Sequence, residues 1–237
     1  MKITLAIVTV LFISGLSYAQ DPVKAAPDSY KLQLENEWVK VLRVTYAAHG
    51  KVPIHDHSRF PAGYVYLSDS GPIRFVHENW DDPVLTRPAT KARSFRLSPT
   101  TQSSERHRVE NDGDLASEFL RIEFKKLRQG KDLPLRRVPP ADVPAEKNLS
   151  QVEFENDYLR VTRFTAVKGK PLEIKADGSV PTLIVVLAAG KLGRKDAQPE
   201  LLSAGDTIWL DAGRSRTFDH VGTEPFEILR FDLVGKK

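Results

Sequence analysis

Two stretches of this chain are near copies of each other, and this repeat constrains the fold more than any other feature. Residues 32–45, LQLENEWVKVLRVT, align without a gap on residues 152–165, VEFENDYLRVTRFT, at an offset of 120. Glu35, Asn36, Val41, Arg43 and Thr45 recur as Glu155, Asn156, Val161, Arg163 and Thr165, and Trp38 is answered by Tyr158. The same offset carries Pro61, Val65 and Leu67 onto Pro181, Val185 and Leu187. Near the ends of the copies Gly113, Leu120 and Arg121 recur as Gly222, Leu229 and Arg230 at an offset of 109, so the first copy is 11 residues longer in its middle, between Gly71 and Glu105. A period this long means duplicated domains and not a solenoid.

Within each copy, short runs rich in Val, Ile, Leu, Tyr and Phe alternate with period two, as in VKVLRVTY, GYVYL, PIRFV and FLRIEF, then TLIVVL, DTIWL and FEILRFDL. Gly, Pro, Asp and Ser punctuate them. No segment keeps a helical period long enough for a core helix, so the predicted class is all-β, as two tandem barrels. Residues 128–148 between the copies carry Pro134, Pro139, Pro140 and Pro144, which excludes a helix interior or central strand and favours an extended connector. The expected organisation is an N-terminal segment over 20–30, a first domain over 31–127, the connector over 128–148 and a second domain over 149–237.

Residues 1–19 have the parts of a secretory signal: Lys2, an apolar run from Ile3 to Leu16, and small Ser17 and Ala19 flanking Tyr18. Cleavage is expected between Ala19 and Gln20, with a periplasmic or secreted product. The apolar run is too short to cross a bilayer and no later stretch is longer, so no membrane span is expected. The 35 Lys and Arg are scattered among 31 Asp and Glu, leaving a net charge of only +4, and no basic helix with interleaved aromatics argues for nucleic acid. With zero cysteines the fold has no disulfides, and any metal site must be built from His, Asp or Glu.

Among the six histidines, His55-Asp56-His57 is the informative pair, because alternate residues of a strand share a face and two imidazoles so placed can hold one ion. The wider pattern resembles the cupin superfamily, small jelly-roll barrels that are often duplicated. Gly50, His55, His57, the strand Gly63-Tyr64-Val65-Tyr66-Leu67 and Gly71 follow the order of its first motif, and His107-Arg108-Val109-Glu110-Asn111 fits the end of its second. The resemblance implies jelly-roll barrels with one divalent transition metal (Fe, Mn, Zn, Ni or Cu) between His55, His57 and His107. Two departures stand out: the usual glutamate position falls on Pro61, and a polar stretch, SPTTQSSER, replaces the Pro-x-Gly turn.

A site of three neutral imidazoles still suits these metals, leaves positions open for water or substrate, and makes the ion a stronger Lewis acid. Glu78 and Glu105 are candidates for a further ligand or an acid/base. Tyr64, Tyr66 and Trp80 are candidates for substrate contact; the two tyrosines share a strand face opposite Val65 and Leu67, which recur in the second copy and read as common core. At the repeat offsets His55, His57 and His107 become Lys175, Asp177 and Arg216, so the second copy is expected to hold no metal. Three function classes fit: a metal-dependent dioxygenase, isomerase or decarboxylase acting on a small molecule, a module binding a sugar or other small polar ligand, and a structural protein with a relic site. Each is compatible with a homo-oligomer.

Overall fold

The structure, a computed structural model, describes residues 20–78, 80–99, 105–127, 133–142, 147–167, 169–188, 190–194, 197–220 and 225–234. The signal-like segment 1–19 and Pro144 of the connector lie outside these. Apart from one short helix, α1 (Pro22–Ala25), started by the Asp21 side chain accepting from the Val23 N–H, the regular structure of the described residues is strand. The first half holds β1 (Tyr30–Glu35), β2 (Val39–Tyr46), β3 (Lys51–Asp56), β4 (Ala62–Tyr66), β5 (Ile73–His77), β6 (Val84–Arg87), β7 (Phe95–Ser98), β8 (Arg106–Glu110), β9 (Ser117–Phe124) and β10 (Arg136–Val138). The second half holds β11 (Leu149–Glu155), β12 (Leu159–Ala166), β13 (Pro171–Lys175), β14 (Thr182–Ala188), β15 (Gly190–Arg194), β16 (Ala197–Leu202), β17 (Thr207–Leu210), β18 (Ser215–His220) and β19 (Phe226–Leu233).

The strands form two tandem jelly-roll barrels. A large sheet ordered β1-β2-β9-β4-β7-β10 faces a small one ordered β3-β8-β5-β6, and β11-β12-β19-β14-β17 faces β13-β18-β15-β16. The proline-rich connector contributes β10, an edge strand on β7 that holds no proline itself and ends directly before Pro139 and Pro140.

The period-two pattern of the large sheets serves two cores at once. In β2, Val39 and Val41 belong to a cluster that includes Val161, Val185, Leu229 and Phe231 of the other barrel, whereas Leu42, Val44 and Tyr46 pack with Val109 and Phe119 inside their own barrel. Each large sheet is therefore buried on both faces, and the barrels are joined through their large sheets. This corrects the sequence reading of β4: the Val65 and Leu67 face is the contact between barrels, and Tyr64 and Tyr66 point into the first barrel. A fully buried Val or Leu contributes roughly 1.5–3 kcal/mol relative to exposure, so separating the barrels would be costly.

Polar side chains lock the same contact. Arg43 donates to Glu118 at 2.7 Å and to the Ala204 carbonyl of the opposite barrel at 3.4 Å. Its repeat partner Arg163 is bound by Glu153 and Glu227 and donates to the Arg93 carbonyl at 3.1 Å. The two receiving turns correspond: the Arg93 N–H bonds Tyr66 O and the Gly205 N–H bonds Val186 O, each at 2.8 Å, and both residues have positive φ, 66° and 88°. Glycine suits 205, where φ is positive and a Cβ would stand 2.6 Å from Leu67 Cδ1 and push that side-chain end aside.

Arg163→Met should destabilise the protein by about 3–5 kcal/mol in urea unfolding, since it leaves buried Glu153 without its cation and buried Glu227 with Arg93 alone. Arg43→Met should cost roughly 1 kcal/mol or less, because Arg43 and Glu118 are each about a third exposed, 35% and 34%.

Candidate metal centre

Strand register brings the histidines together. β3, β8 and β5 are neighbours, and His107 stands opposite His55 on one side and His77 on the other. A β-bulge between Val52 and His55 turns the end of β3, and His57 follows just beyond it, its N–H donating to Glu105 O at 2.9 Å. All four rings are buried. His55 Nε2 and His57 Nε2 are 3.1 Å apart, and the His107 ring centroid lies 4.8 Å and 5.1 Å from those of His55 and His57. Asn111 and Gly50 have scaffold roles. The Asn111 amide donates to the carbonyls of Tyr46, Ala47 and Leu115, and Gly50 sits where a Cβ would be 2.8 Å from Ala47 O.

This donor set fits a metal ion. His55 Nδ1 lies 2.8 Å from Pro53 O, so Nδ1 carries the proton and the Nε2 lone pair points inward. His57 Nδ1 and both ring nitrogens of His107 and His77 are buried without a hydrogen-bond partner. Buried polar atoms are normally paired, and such orphans call for an explanation. Two nitrogens each about 2.1 Å from one ion stand about 3.0 Å apart at a right angle and about 3.4 Å apart in a tetrahedron, a range that contains the His55–His57 spacing. Burial, reinforced for His55 by His107, holds the His55 ring at a pKa of about 4, and burial with the nearby Arg121 holds His57 well below the ordinary value. Both are neutral at pH 7, the form that coordinates.

The two candidate carboxylates separate. Glu78 is half exposed and accepts from Arg106 at 2.6 Å, in an ion pair that also holds Asp56. Glu105 reaches the centre: its carboxylate is 3.5 Å from His107 Nδ1 and 3.7 Å from His77 Nε2, and it accepts from Arg121 at 3.2 Å. Burial pushes the Glu105 carboxyl up, but His107, His77 and Arg121 outweigh it and hold it well below the usual range. His77, Glu105 and His107 thus form a second group with metal-binding spacing, sharing His107 with the first. Sequence reasoning passed over His77, which no motif marks; only the strand pairing sets it opposite His107.

A cavity of about 130 Å³ opens beside the rings. Tyr64 and Trp80 line it, and Tyr66 does not; it lines a separate outer groove. Trp80 stacks on His77 with centroids 3.6 Å apart and planes 6° from parallel. Sequence reasoning also missed Tyr30 and Tyr46, whose hydroxyls share a 2.6 Å hydrogen bond on the cavity wall, and Arg121, which donates to Tyr64 Oη at 2.8 Å.

No family model matches the sequence, and no curated protein matches it. Solved structures do. A cupin 2 conserved barrel domain protein from Leptotrichia buccalis matches with TM-score 0.51 and 16% identity over 86% of this chain and 88% of that one. A bacterial pirin from Escherichia coli, in complex with nickel(II), matches with TM-score 0.58 and 13% identity over 86% and 90%. A salicylate 1,2-dioxygenase from Pseudaminobacter salicylatoxidans matches with TM-score 0.53 and 11% identity over 84% and 72%. The chain has the cupin fold.

The second cupin barrel shows what the same interior looks like when filled. Its pairing corrects the offset alignment by one residue: Ile174, not Lys175, stands opposite Arg216 as His55 stands opposite His107. The β3 bulge accounts for the slip, since Val52 opposite Val109 still matches Leu172 opposite Phe218. His57, whose N–H bonds Glu105 O, corresponds to Ala176, whose N–H bonds Arg214 O. Tyr64 and Arg96, paired across β4 and β7, correspond to Ile184 and Ile208. Ile174, Ala176, Ile184 and Ile208 form part of one buried apolar cluster, and no metal-capable group occurs in this barrel among the described residues.

The depressed His55 pKa sets a sign for stability against pH. Its contribution to the metal-free protein is complete above the unfolded value near 6.5 and is lost as pH falls to about 4. Chelator-treated protein should lose on the order of 3 kcal/mol from this ring over that window in urea unfolding, and His55→Phe should flatten the decline.

Proposed function

We propose that the first barrel is the metal-dependent catalytic centre of an enzyme acting on a small molecule, with one ion held by His55, His57 and His107. One observation carries this reading: where the second barrel has Ile174 and Ala176, the first buries imidazoles around an open cavity, with ring nitrogens that no protein group satisfies. The donor set suits Fe, Mn, Ni, Cu or Zn. A divalent ion bound there supplies a Lewis acid with coordination positions left open for a small oxygen ligand.

The surrounding side chains prepare that site. Pro53 O fixes the His55 tautomer, and Glu105, kept ionised by His107, His77 and Arg121, stands 3.5 Å from His107 Nδ1. Burial pushes both the Tyr30 and Tyr46 phenols up, and contact with Tyr46 raises Tyr30 further, so both stay protonated; one hydroxyl donates to the other and the pair leaves one hydroxyl proton free on the cavity wall. Phe75, Leu85 and Trp80 exclude bulk water from the other side. Dioxygenase, isomerase and decarboxylase types are the reaction classes we carry forward, and the fold neighbours include a dioxygenase and a nickel(II) complex. Export is part of the proposal, supported by the signal-like segment 1–19; among the described residues no helix is long and apolar enough to cross a membrane.

Elemental analysis of purified protein should give about one divalent metal per chain. His55→Ala, His57→Ala and His107→Ala should each lower metal affinity by roughly 100-fold or more, beyond the 10- to 100-fold typical of outer-sphere changes, and abolish the metal-induced rise in melting temperature. Arg216→Ala and Lys175→Ala should leave both unchanged. A stoichiometry near two, or a wild type that takes up no first-row metal, would overturn the reading. Turnover of a small-molecule panel lost in His107→Ala separates an enzyme from a binding module. N-terminal sequencing of protein from the cell envelope should begin at Gln20, and an intact Met1 in the cytosol would remove export.

A further inference from the structure

Resting on the three-histidine reading above, we propose that the same cavity takes a small organic carboxylate with a flat apolar body, its anionic head gripped by Arg87 and Arg96 and its body lying toward the histidines. Of the deeply buried arginines among the described residues, Arg121 and Arg163 each hold carboxylates. Arg87, only 7% exposed, holds none. Its Nη2 donates to Ser117 Oγ at 2.8 Å and Ser70 Oγ at 3.3 Å, its face lies over the Tyr66 and Phe119 rings, and its buried Nε has no partner. Arg96 lies 4.1 Å over the Tyr64 ring, with a buried Nε likewise unpartnered and no carboxylate in ion-pair reach among the described residues. A buried cation without an anion is costly, and a planar guanidinium fork matches a carboxylate in two parallel hydrogen bonds.

Charge and shape point the same way. The acids nearest the cavity, Glu105 and Glu123, are engaged by Arg121, so the two remaining guanidiniums are uncompensated before any metal is added. Neutral histidine ligands would leave the ion's charge in place as well. Beside the arginines, Phe75, Leu85 and Trp80 give the lining an apolar part, Leu85 standing two residues before Arg87 on β6, and the cavity of about 130 Å³ is close to the roughly 150 Å³ that admits a benzene ring. In the filled barrel the Arg96 position is Ile208.

Arg87 and Arg96 also border the outer groove lined by Pro88 and Val138, so the test must place the ligand. Benzoate and its neutral isostere benzamide should be titrated into the full chain, metal-loaded and chelator-treated, by tryptophan emission and calorimetry. Benzoate should bind at least tenfold tighter than benzamide, and Arg96→Gln and Arg87→Gln should each erase that preference at unchanged metal content, while Arg96→Lys keeps part of it. The emission change should vanish in Trp80→Phe with calorimetric binding retained, because Trp80 lines the inner cavity. Equal binding of the two probes, a preference that survives both glutamine variants, or an emission change that persists in Trp80→Phe would each overturn the proposal. Arg96→Gln removes only a ring contact on a partly exposed side chain, so it reports even if Arg87→Gln fails to fold. An arginine-dependent preference in a chain that binds no metal would sink the metal reading alone, and full metal loading without any preference would sink this inference alone.

Discussion

The contact between the two large sheets is the constraint on which the rest of the molecule depends. A sheet buried on both faces cannot slip, because a one-residue shift in register exchanges every side chain between the two cores. In β2 and β12 the set containing Val39, Val41, Leu159 and Val161 is committed to the joint between barrels, and Leu42, Val44 and Ala166 are committed to the interiors. Arg43 and Arg163 lie on the joint side and tie each barrel to a turn of the other. The repeat is most visible in these strands because the joint leaves them little freedom to change. Most of the freedom lies in the small sheets and in the side chains that fill each barrel.

The two barrels used that freedom in opposite ways. On the interior face of β9, Arg121 and Glu123 pair at 3.1 Å, and the corresponding Arg230 and Asp232 of β19 pair at 2.7 Å. That pair is scaffold, present with or without a site. Around it the second barrel places Ile184 and Ile208, whereas the first places Tyr64 and Arg96, so Arg121 gains Tyr64 and Glu105 as partners. Orphaned buried ring nitrogens cost about 1–3 kcal/mol each, and an open cavity adds to that cost. A barrel with such an interior is poorly placed to stand alone. The apolar interior of its neighbour and the shared joint supply what it lacks, which explains why a copy without the histidine site persists beside one that has it.

The fold was largely legible because alternation and repeat report directly on strands with one or two buried faces. VKVLRVTY, GYVYL and FLRIEF became β2, β4 and β9, and His55, His57 and His107 converge in space. What was not legible depended on register and on which neighbour covers a face. A recurring apolar face, Val65 and Leu67, looks the same whether it lines a barrel or joins two, so its role was misassigned. The bulge in β3 shifts the pairing by one residue without changing the overall offset, because Pro61 and Pro181 still correspond, each accepting from the last large-sheet strand. That concealed Ile174 and Ala176 as the counterparts of His55 and His57. Glu78 and Glu105 were indistinguishable as isolated acids, and only the fold put one on Arg106 at the surface and the other between His77 and His107. His77, Arg87 and Arg96 come from strands with no motif of their own, so single-sequence reasoning had nothing to attach them to.

The proline at position 61 bears on the chemistry as much as the histidines do. A carboxylate ligand would offset part of an ion's charge and occupy a coordination position. With Pro61 there, its carbonyl accepts the Phe124 N–H at 2.8 Å and its side chain offers no ligand, while Glu105, the carboxylate that reaches the rings among the described residues, is tied to Arg121. An ion held by three neutral imidazoles would keep its full charge beside a cavity also lined by Arg87 and Arg96, neither of which pairs with an acid among the described residues. In a low-dielectric interior such a field is unfavourable until something negative enters, and it acts more strongly there than it would in water. With an ion bound, the absence of a carboxylate at position 61, the two arginines and the neutral rings would act in one direction: each would favour an anion in the cavity over a cation or a neutral molecule of the same shape.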